Sequence, residues 1–239
     1  MITKNIMNQI KTHAVHQDWE VAFGGKSRGN SHLFRVNKIV LFLADKEKAN
    51  KEIAEAGGWL HDIGLIAGND NDPEAIRKIA EDFLRTLPIE QDQISAISDC
   101  VAAHEGDAEA MGIGAQIVHD ADVIDKTGML GMIRHTWKII NLINPEATTK
   151  EVLETLTVHL RKRQNNLYTE TAKRIARDLD NRTRDVFHQE KKALKLVDSI
   201  IQFTKEGLIS DIIAQRLSEK SDLVTRKLIQ DQLGCGYLD

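Results

Sequence analysis

The sequence predicts an all-α fold. Its 239 residues include only three prolines and 15 glycines, and Leu, Ile, Ala, Lys, Glu and Arg dominate the rest, which favours helix. No run of alternating β-branched residues is long enough for a strand. Apolar residues instead recur at helical spacing along most of the chain, so the sequence predicts a bundle of helices.

The first predicted helices are separated by polar and glycine-rich segments. Residues 1–17 form a predicted opening helix, and a glycine-rich connector follows at 24–30. Asn30 or Ser31 is expected to cap a second helix that begins near His32. Apolar residues on one face of this helix predict that it packs against the core.

The middle of the chain carries three further helical patterns. One apolar run ends at residues 61–62. Asp72 followed by Pro73 is typical of a helix start, with the aspartate as the cap and proline in the first turn. Apolar periodicity then predicts helices over about 73–86 and 89–104.

The second half of the chain is also helical in pattern. Thr148 and Glu151 have the spacing of a capping box. Residues 169–204 are predicted to form one long helix or two collinear ones. Gly207 and Ser221 then separate the helices of a C-terminal hairpin, whose apolar stripes must be buried against the domain or against a second copy.

Four residues of metal-binding type lie on three of these helices. His32 opens one helix, His61 and Asp62 end the next, and Asp122 lies on the inner face of a later one. Helical bundles build metal sites from facing side chains in this way. Asp120 is an alternative to Asp122, because both belong to the same acidic segment.

Two imidazoles and two carboxylates form a mixed nitrogen and oxygen site. Such a site suits one divalent ion, with Mn, Fe, Co, Ni or Zn expected before Mg. Four protein ligands leave positions for water and for a phosphoryl oxygen, and the ion would activate both. The ligand set therefore indicates hydrolysis of a phosphate ester.

Other residues are candidates for binding and catalysis. His104 would act on the substrate phosphate or the leaving group; the alternative is a histidine that stabilises a helix C-terminus. Asp120 or Asp125 would orient a ligand histidine or the water. Arg35, Lys126 and Arg134 are candidate phosphate clamps, and each is equally a candidate for a structural ion pair.

The order of these motifs resembles the HD phosphohydrolase superfamily. The matching segments are His-x-x-Arg-Val at 32–36, Leu-His-Asp-Ile-Gly at 60–64, Asp-Ala-Asp-x-x-Asp at 120–125 and Thr-Glu-Thr-Ala-Lys at 169–173. The resemblance covers roughly residues 15–195. It implies an HD-domain helical bundle over 1–199, with a C-terminal helical extension over 200–239.

The chain departs from the family pattern in places. Gly29, Asn30 and Ser31 precede His32, where other members often carry an extra His-Asp pair. Leu65 and Ile66 occupy the stretch where some HD nucleotidases carry acidic catalytic residues. This departure argues against carrying over the substrates of those enzymes, and it leaves the general acid unassigned.

The resemblance and the ligand set together predict a metal-dependent phosphohydrolase. The expected substrate is a small phosphorylated metabolite, most of all a nucleotide. One alternative is a non-catalytic module that binds metal or a nucleotide and engages a partner through its helical tail. The other alternative is a metal-dependent nuclease.

Charge and composition bear on the partners and the compartment. The net charge is −4, and the basic clusters after residue 145 are interleaved with acidic rather than aromatic residues. Nucleic acid is therefore not the expected partner. No apolar stretch reaches the roughly 20 residues that span a bilayer, and the two cysteines lack a Cys-x-x-Cys spacing. We expect a cytoplasmic protein, with self-association through the C-terminal helices as a further expectation.

Overall fold

A computed structural model describes residues 2–68, 72–104, 108–187 and 189–238. Twelve α-helices, with short 3₁₀ and π segments between them, make up the regular structure of these residues, and no strand occurs among them. The prediction of an all-α fold is therefore confirmed. The chain forms two compact units, and the boundary between them falls after Asp122 in the sixth helix.

The first unit comprises Met1–Asp122 together with Tyr168–Ala172. Its helices are α1 (Lys4–His16), α2 (His32–Lys46), α3 (Lys51–Leu60), α4 (Pro73–Leu84), α5 (Gln91–Ala102) and the part of α6 (Ile113–Asp125) that ends at Asp122. A 3₁₀ segment, His61–Ala67, follows α3 directly. A π turn, Gln17–Val21, follows α1, and the sequence pattern did not predict it.

Side-chain caps explain where several of these helices begin. Thr3 accepts a hydrogen bond from the backbone of α1, and Asn50 caps α3 in the same way. Asp72 accepts from the first turn of α4, and Pro73 fills the position whose N–H would have no helical partner. The predicted start at Asp72 and Pro73 is confirmed. Ser31 is the N-cap residue of α2, without a side-chain cap bond.

The core of the first unit is built from the inner faces of α1, α3, α4 and α5. α3 packs against α1, α2 and α5, and α4 packs against α5. Ile10, Leu60 and Ile97 are completely buried in this core. Cys100 is also buried, as a small apolar residue should be in this place.

The second unit comprises Val123–Leu167 and Lys173–Asp239. Its helices are α7 (Gly128–Lys138), α8 (Thr149–Asn165), α9 (Glu170–Phe187, from Lys173 onward), α10 (Glu190–Lys205), α11 (Ser210–Lys220) and α12 (Leu223–Gly234). α7 packs against α8, α10, α11 and α12 and is the central helix of this unit. The stretch 169–204 is therefore two helices, α9 and α10.

Two local features of the second unit follow from its sequence. Thr148 and Glu151 exchange hydrogen bonds at the start of α8, so the predicted capping box is confirmed. The C-terminal hairpin is also present, and it buries Ile213, Leu217 and Ile229 within this unit. Self-association through the hairpin stays a prediction, and so does the domain boundary between residues 199 and 200.

None of the helices in the described part of the chain has the length and apolar character needed to cross a bilayer.

Candidate metal centre

Side chains from three helical segments of the first unit converge at one point. His32 opens α2, His61 and Asp62 begin the 3₁₀ segment after α3, and Asp122 lies on α6. One ligand atom each of His32, His61 and Asp122 lies within 4.8 Å of the other two, and all three residues are buried. The structure thus brings together the four residues that the sequence assigned to a metal.

The distances among these side chains fit a single metal ion. The Nε2 atom of His32 lies 3.2 Å from Nε2 of His61 and 3.2 Å from Oδ1 of Asp122. Oδ2 of Asp62 lies 3.3 Å from Nε2 of His32 and 3.4 Å from Nε2 of His61. Neighbouring donors on an ion with metal–ligand bonds of about 2.1 Å are roughly 3.0–3.4 Å apart. The donor set therefore matches one divalent cation in both chemistry and spacing.

A backbone carbonyl fixes the orientation of His61. Its Nδ1 donates to the carbonyl oxygen of Gly58 at 2.8 Å. In the neutral ring, Nε2 on the other side therefore carries the lone pair, and it points towards the other donors. Partners of this kind commonly orient ligand histidines.

Opposing effects act on the charge of His61. Burial lowers the pKa of its ring. The carboxylates of Asp62 and Asp122 together raise the pKa by more than burial lowers it, so it lies well above its ordinary value of 6.5. Two carboxylates packed against buried imidazoles form a site that favours positive charge. Either a proton on the ring or a bound divalent ion supplies this positive charge.

A pair of glycines lets the ligand-bearing helices approach one another. A Cβ atom on Gly57 would lie 2.6 Å from Cβ of Cys100 on α5 and 3.3 Å from a methyl group of Val118 on α6. A Cβ atom on Gly58 would lie 3.0 Å from Oδ1 of Asn37 on α2. Because neither glycine has a side chain, α3 can pack closely against α2, which carries His32, against α5, which ends shortly before His104, and against α6, which carries Asp122.

His104 lies beside the four donors. Its Nδ1 donates to the carbonyl of Val101 at 2.7 Å, and its Nε2 lies 3.9 Å from Oδ1 of Asp62. The His104 ring meets the His61 ring edge to face, with 5.3 Å between the centroids. His104 therefore faces the carboxylate oxygen of Asp62 that points away from the histidine pair, and it belongs to the same cluster.

Asp120 lies on the same helix as Asp122 but has a different environment. Its carboxylate accepts hydrogen bonds from the backbone N–H groups of Tyr168 and Thr169 and from the hydroxyl of Thr169, at 2.7–2.9 Å. Asp120 is fully buried and holds the segment before α9. This geometry favours Asp122 as the metal ligand and gives Asp120 a structural role.

The other predicted residues lie in several places. Arg35 is buried on α2, three residues after His32. Asp125 and Lys126 are buried at the end of α6, in the part of the chain that belongs to the second unit. Arg134 lies on α7 in that unit, where it lines a pocket together with Lys126.

The sequence did not identify the backbone groups that orient the histidines. The carbonyl oxygens of Gly58 and Val101 each lie three residues before the histidine they hold. Because this three-residue spacing follows from helix geometry, the two carbonyl partners could have been predicted from the sequence. The role of Thr169 in binding Asp120 gave no signal, because the two residues are far apart in the chain.

The comparison with a family model decides what kind of domain surrounds this site. Residues 30–127 match the model of the HD domain, a range that contains all four candidate ligands and His104. Residues 30–127 are thus similar to an HD domain. The resemblance inferred from the motifs is confirmed, while the assignment of individual residues to metal binding and catalysis stays a prediction.

Two curated relatives are similar to part of the chain. Ribonuclease Y from Chlorobium luteolum is 31% identical over 93 residues, which cover 39% of this chain and 17% of that protein. Ribonuclease Y from Fusobacterium nucleatum is 34% identical over 95 residues, which cover 39% of this chain and 18% of that protein. The chain thus spans less than a fifth of the length of these relatives.

Solved structures share the fold over a larger part of the chain. A protein from Lactobacillus plantarum matches with a TM-score of 0.61 at 24% identity, covering 80% of this chain and 97% of that one. The Lin1889 protein from Listeria innocua matches with a TM-score of 0.58 at 24% identity, covering 79% and 97%. A predicted HD superfamily hydrolase from an uncultured Thermotogales bacterium matches with a TM-score of 0.53 at 20% identity, covering 78% and 91%. The helical arrangement around residues 30–127 therefore recurs in other proteins.

Proposed function

We propose that this protein is a metal-dependent phosphohydrolase that acts on a small phosphorylated metabolite, with a nucleotide as the preferred substrate class. The observation that carries the proposal is the convergence of four donors, His32, His61, Asp62 and Asp122, at spacings of 3.2–3.5 Å. The similarity of residues 30–127 to an HD domain supports it. When bound, one divalent ion supplies Lewis-acid activation of water and of a phosphoryl oxygen.

The residues around the donors have roles in this proposal. Asp62 has one carboxylate oxygen near the histidine pair and the other near His104. Because Nδ1 of His104 donates to a carbonyl, Nε2 is the atom that can take up or deliver a proton. We assign His104 the proton transfer to the leaving group. Arg35 is proposed to hold phosphate charge. Asp125 and Lys126 keep their predicted roles in orientation and phosphate binding as part of this proposal.

The choice of a nucleotide rests on chemistry and on relatives. Ribonuclease Y is, by its name, a protein that acts on RNA, whose phosphodiester bonds join nucleotides. The similarity covers the length of about one domain, so it supports a related phosphate ester rather than the same substrate. Because the ligand set combines imidazole and carboxylate groups, we expect the protein to prefer Mn, Fe, Co, Ni or Zn to Mg.

A second candidate function is hydrolysis of RNA or single-stranded DNA. The two ribonuclease Y relatives favour it, and the basic clusters after residue 145 offer charge for a phosphate backbone. Against it stands the overall net charge of −4, with acidic residues interleaved among the bases. A panel of substrates separates the two candidates.

The experiment assays the full chain against nucleotides, sugar phosphates, cyclic dinucleotides, short RNA and single-stranded DNA, each with Mn, Co, Ni and Mg. We expect release of phosphate or nucleotide from a small substrate, with Mn, Co or Ni more active than Mg. Asp122→Asn should abolish the activity. The matched control is Asp82→Asn, which makes the same change on an exposed side chain of α4 and should leave the rate unchanged.

The outcomes distinguish the candidates. Activity confined to RNA or DNA would replace the small-substrate proposal with the nuclease. Full activity in Asp122→Asn, or activity that survives complete metal removal, would refute the metal-dependent proposal. Metal binding without turnover of any substrate would favour the non-catalytic module.

A further inference from the structure

A second cluster of charge lies in the second unit, in a pocket beside α7. The residues that line it are Lys126, Gly131, Arg134, His135, Lys138 and His159. Two lysines, an arginine and two histidines thus surround one space, and none of the described residues that line it is acidic.

Arg134 has unused hydrogen-bonding capacity in this pocket. Its Nε and Nη1 atoms are buried and have no hydrogen-bond partner among the described residues. A guanidinium whose N–H groups are buried and unsatisfied costs free energy, so native structures normally supply an acceptor. The planar group is also suited to bidentate binding of an oxyanion.

The remaining lining residues hold the basic groups in place. The rings of His135 and His159 stack with 3.9 Å between their centroids and 11° between their planes. Gly131 lets α7 approach the end of α6 closely, because a Cβ atom there would meet the carbonyl oxygen of Lys126 at 2.1 Å. The close approach brings Lys126, which is buried, to the same space as Arg134.

Two buried N–H groups of Arg134 lack an acceptor among the described residues and lie in a pocket lined by further basic side chains, and this favours an anion as its occupant. We infer that this pocket binds a phosphate group, with Arg134 as the bidentate donor and Lys126 and Lys138 as the flanking charges. The inference does not depend on the hydrolase proposal, since binding here can be measured without turnover. The phosphate group belongs either to the substrate or to a separate phosphorylated ligand.

The test measures binding of tripolyphosphate to the full chain by titration calorimetry, after removal of metal with EDTA and dialysis. Arg134→Gln and Lys138→Gln should each weaken binding by about tenfold or more, because each removes a charged donor. Arg134→Lys should restore only part of the affinity, since it keeps the charge but loses the planar fork. Lys150→Gln is the matched control, because it removes a lysine that is 80% exposed on α8, and it should bind like the wild type.

Circular dichroism of each variant checks that it is folded. The inference is overturned if the wild type fails to bind tripolyphosphate, if folded Arg134→Gln and Lys138→Gln bind as tightly as the wild type, or if Lys150→Gln loses as much affinity. Failure of the hydrolase proposal leaves this binding result unaffected, so the two are distinguishable.

Kinetics identify the source of the phosphate. If the group belongs to the substrate, Arg134→Gln should raise KM more for substrates with several phosphates than for monophosphates, and tripolyphosphate should compete with substrate. If it belongs to a separate ligand, tripolyphosphate should change the rate of the wild type without competing with substrate. Either result supports an anion-binding pocket.

Discussion

Asp120 accepts hydrogen bonds from both the backbone N–H and the hydroxyl of Thr169, at 2.7 and 2.8 Å. The same hydroxyl accepts from the backbone of Ala172 and so caps the first turn of α9. A carboxylate at the N-terminus of a helix, such as Asp120 at the start of α9, also interacts favourably with the helix dipole. Asp122 lies two residues later on α6, about 200° further around the helix, and faces the histidines instead.

This division of roles predicts different results for the two aspartates. Asp120→Asn should retain metal but lower the free energy of unfolding by about 1–3 kcal/mol, since the amide places a donor where two donors already point. Asp122→Asn should lose metal. Urea denaturation and metal analysis of both variants provide the test. Loss of metal in Asp120→Asn, with metal retained in Asp122→Asn, would reverse the assignment.

Gln232 on α12 should stabilise the start of α7. Its Oε1 accepts from the backbone of Met129 at 2.8 Å and of Leu130 at 3.2 Å, and its Nε2 donates to the carbonyl of Thr127 at 3.0 Å. Gln232→Ala would leave these buried groups unsatisfied, and we expect a loss of about 2–4 kcal/mol in the free energy of unfolding.

Gln230→Ala on the same helix is the control for this prediction, because Gln230 is exposed. It should change stability by less than about 0.5 kcal/mol. Thermal melting of the two variants measures the difference. Equal melting temperatures would show that the C-terminal helix does not support α7 in this way.

Gly57→Ala should destabilise the protein, although alanine is the better helix former. The new Cβ atom would meet Cβ of Cys100 at 2.6 Å, and neither atom can move without a shift of α3 or α5. Overpacking of this kind costs about 1–3 kcal/mol. Gly234→Ala at the end of α12 is the control, because its Cβ atom would have no atom within 4 Å. An increase in the melting temperature of Gly57→Ala would contradict the close packing at this point.

The sequence predicted much of the fold because its signals are local. Helical periodicity and the caps at Asp72 and Thr148 depend on residues within a few positions of one another, and the structure confirms these caps. The π turns at Gln17–Val21 and Ile139–Ile143 were not predicted, since they continue the helical pattern with only a change of hydrogen bonding.

The candidate site was predicted in part for the same reason. The order of His and Asp motifs carries the resemblance, but the choice between Asp120 and Asp122 depends on Thr169, a residue far along the chain. The basic pocket shows the same limit. Arg134, His135 and Lys138 share one helix, whereas His159 belongs to α8 and reaches them only through packing. The sequence alone assigns no role to His135 or His159.

The charge of His61 predicts how the metal-free protein responds to pH. Its pKa in the folded state is raised well above 6.5 by Asp62 and Asp122, despite burial. A raised folded pKa contributes stability that is complete below the unfolded value and is lost as the pH rises through the folded value. The free energy of unfolding of the metal-free protein should therefore fall as the pH is raised above about 6.5.

Metal affinity should change in the opposite direction over the same range, because a bound ion requires the neutral ring. Urea denaturation at a series of pH values, with and without metal, measures both effects. A metal-free protein that becomes more stable above pH 6.5 would contradict the raised pKa.

The central claim is that His32, His61, Asp62 and Asp122 hold one divalent ion. The most direct measurement is the metal content per chain of purified protein, by mass spectrometry, for the wild type, Asp62→Asn and the control Asp82→Asn. Asp62 lies 3.3–3.4 Å from both histidine nitrogens, whereas Asp82 is 60% exposed on α4. We predict about one transition-metal ion per chain in the wild type and in Asp82→Asn, and much less in Asp62→Asn. Equal metal content in all three proteins, or none in the wild type after exposure to Mn, Co, Ni and Zn, would contradict the claim.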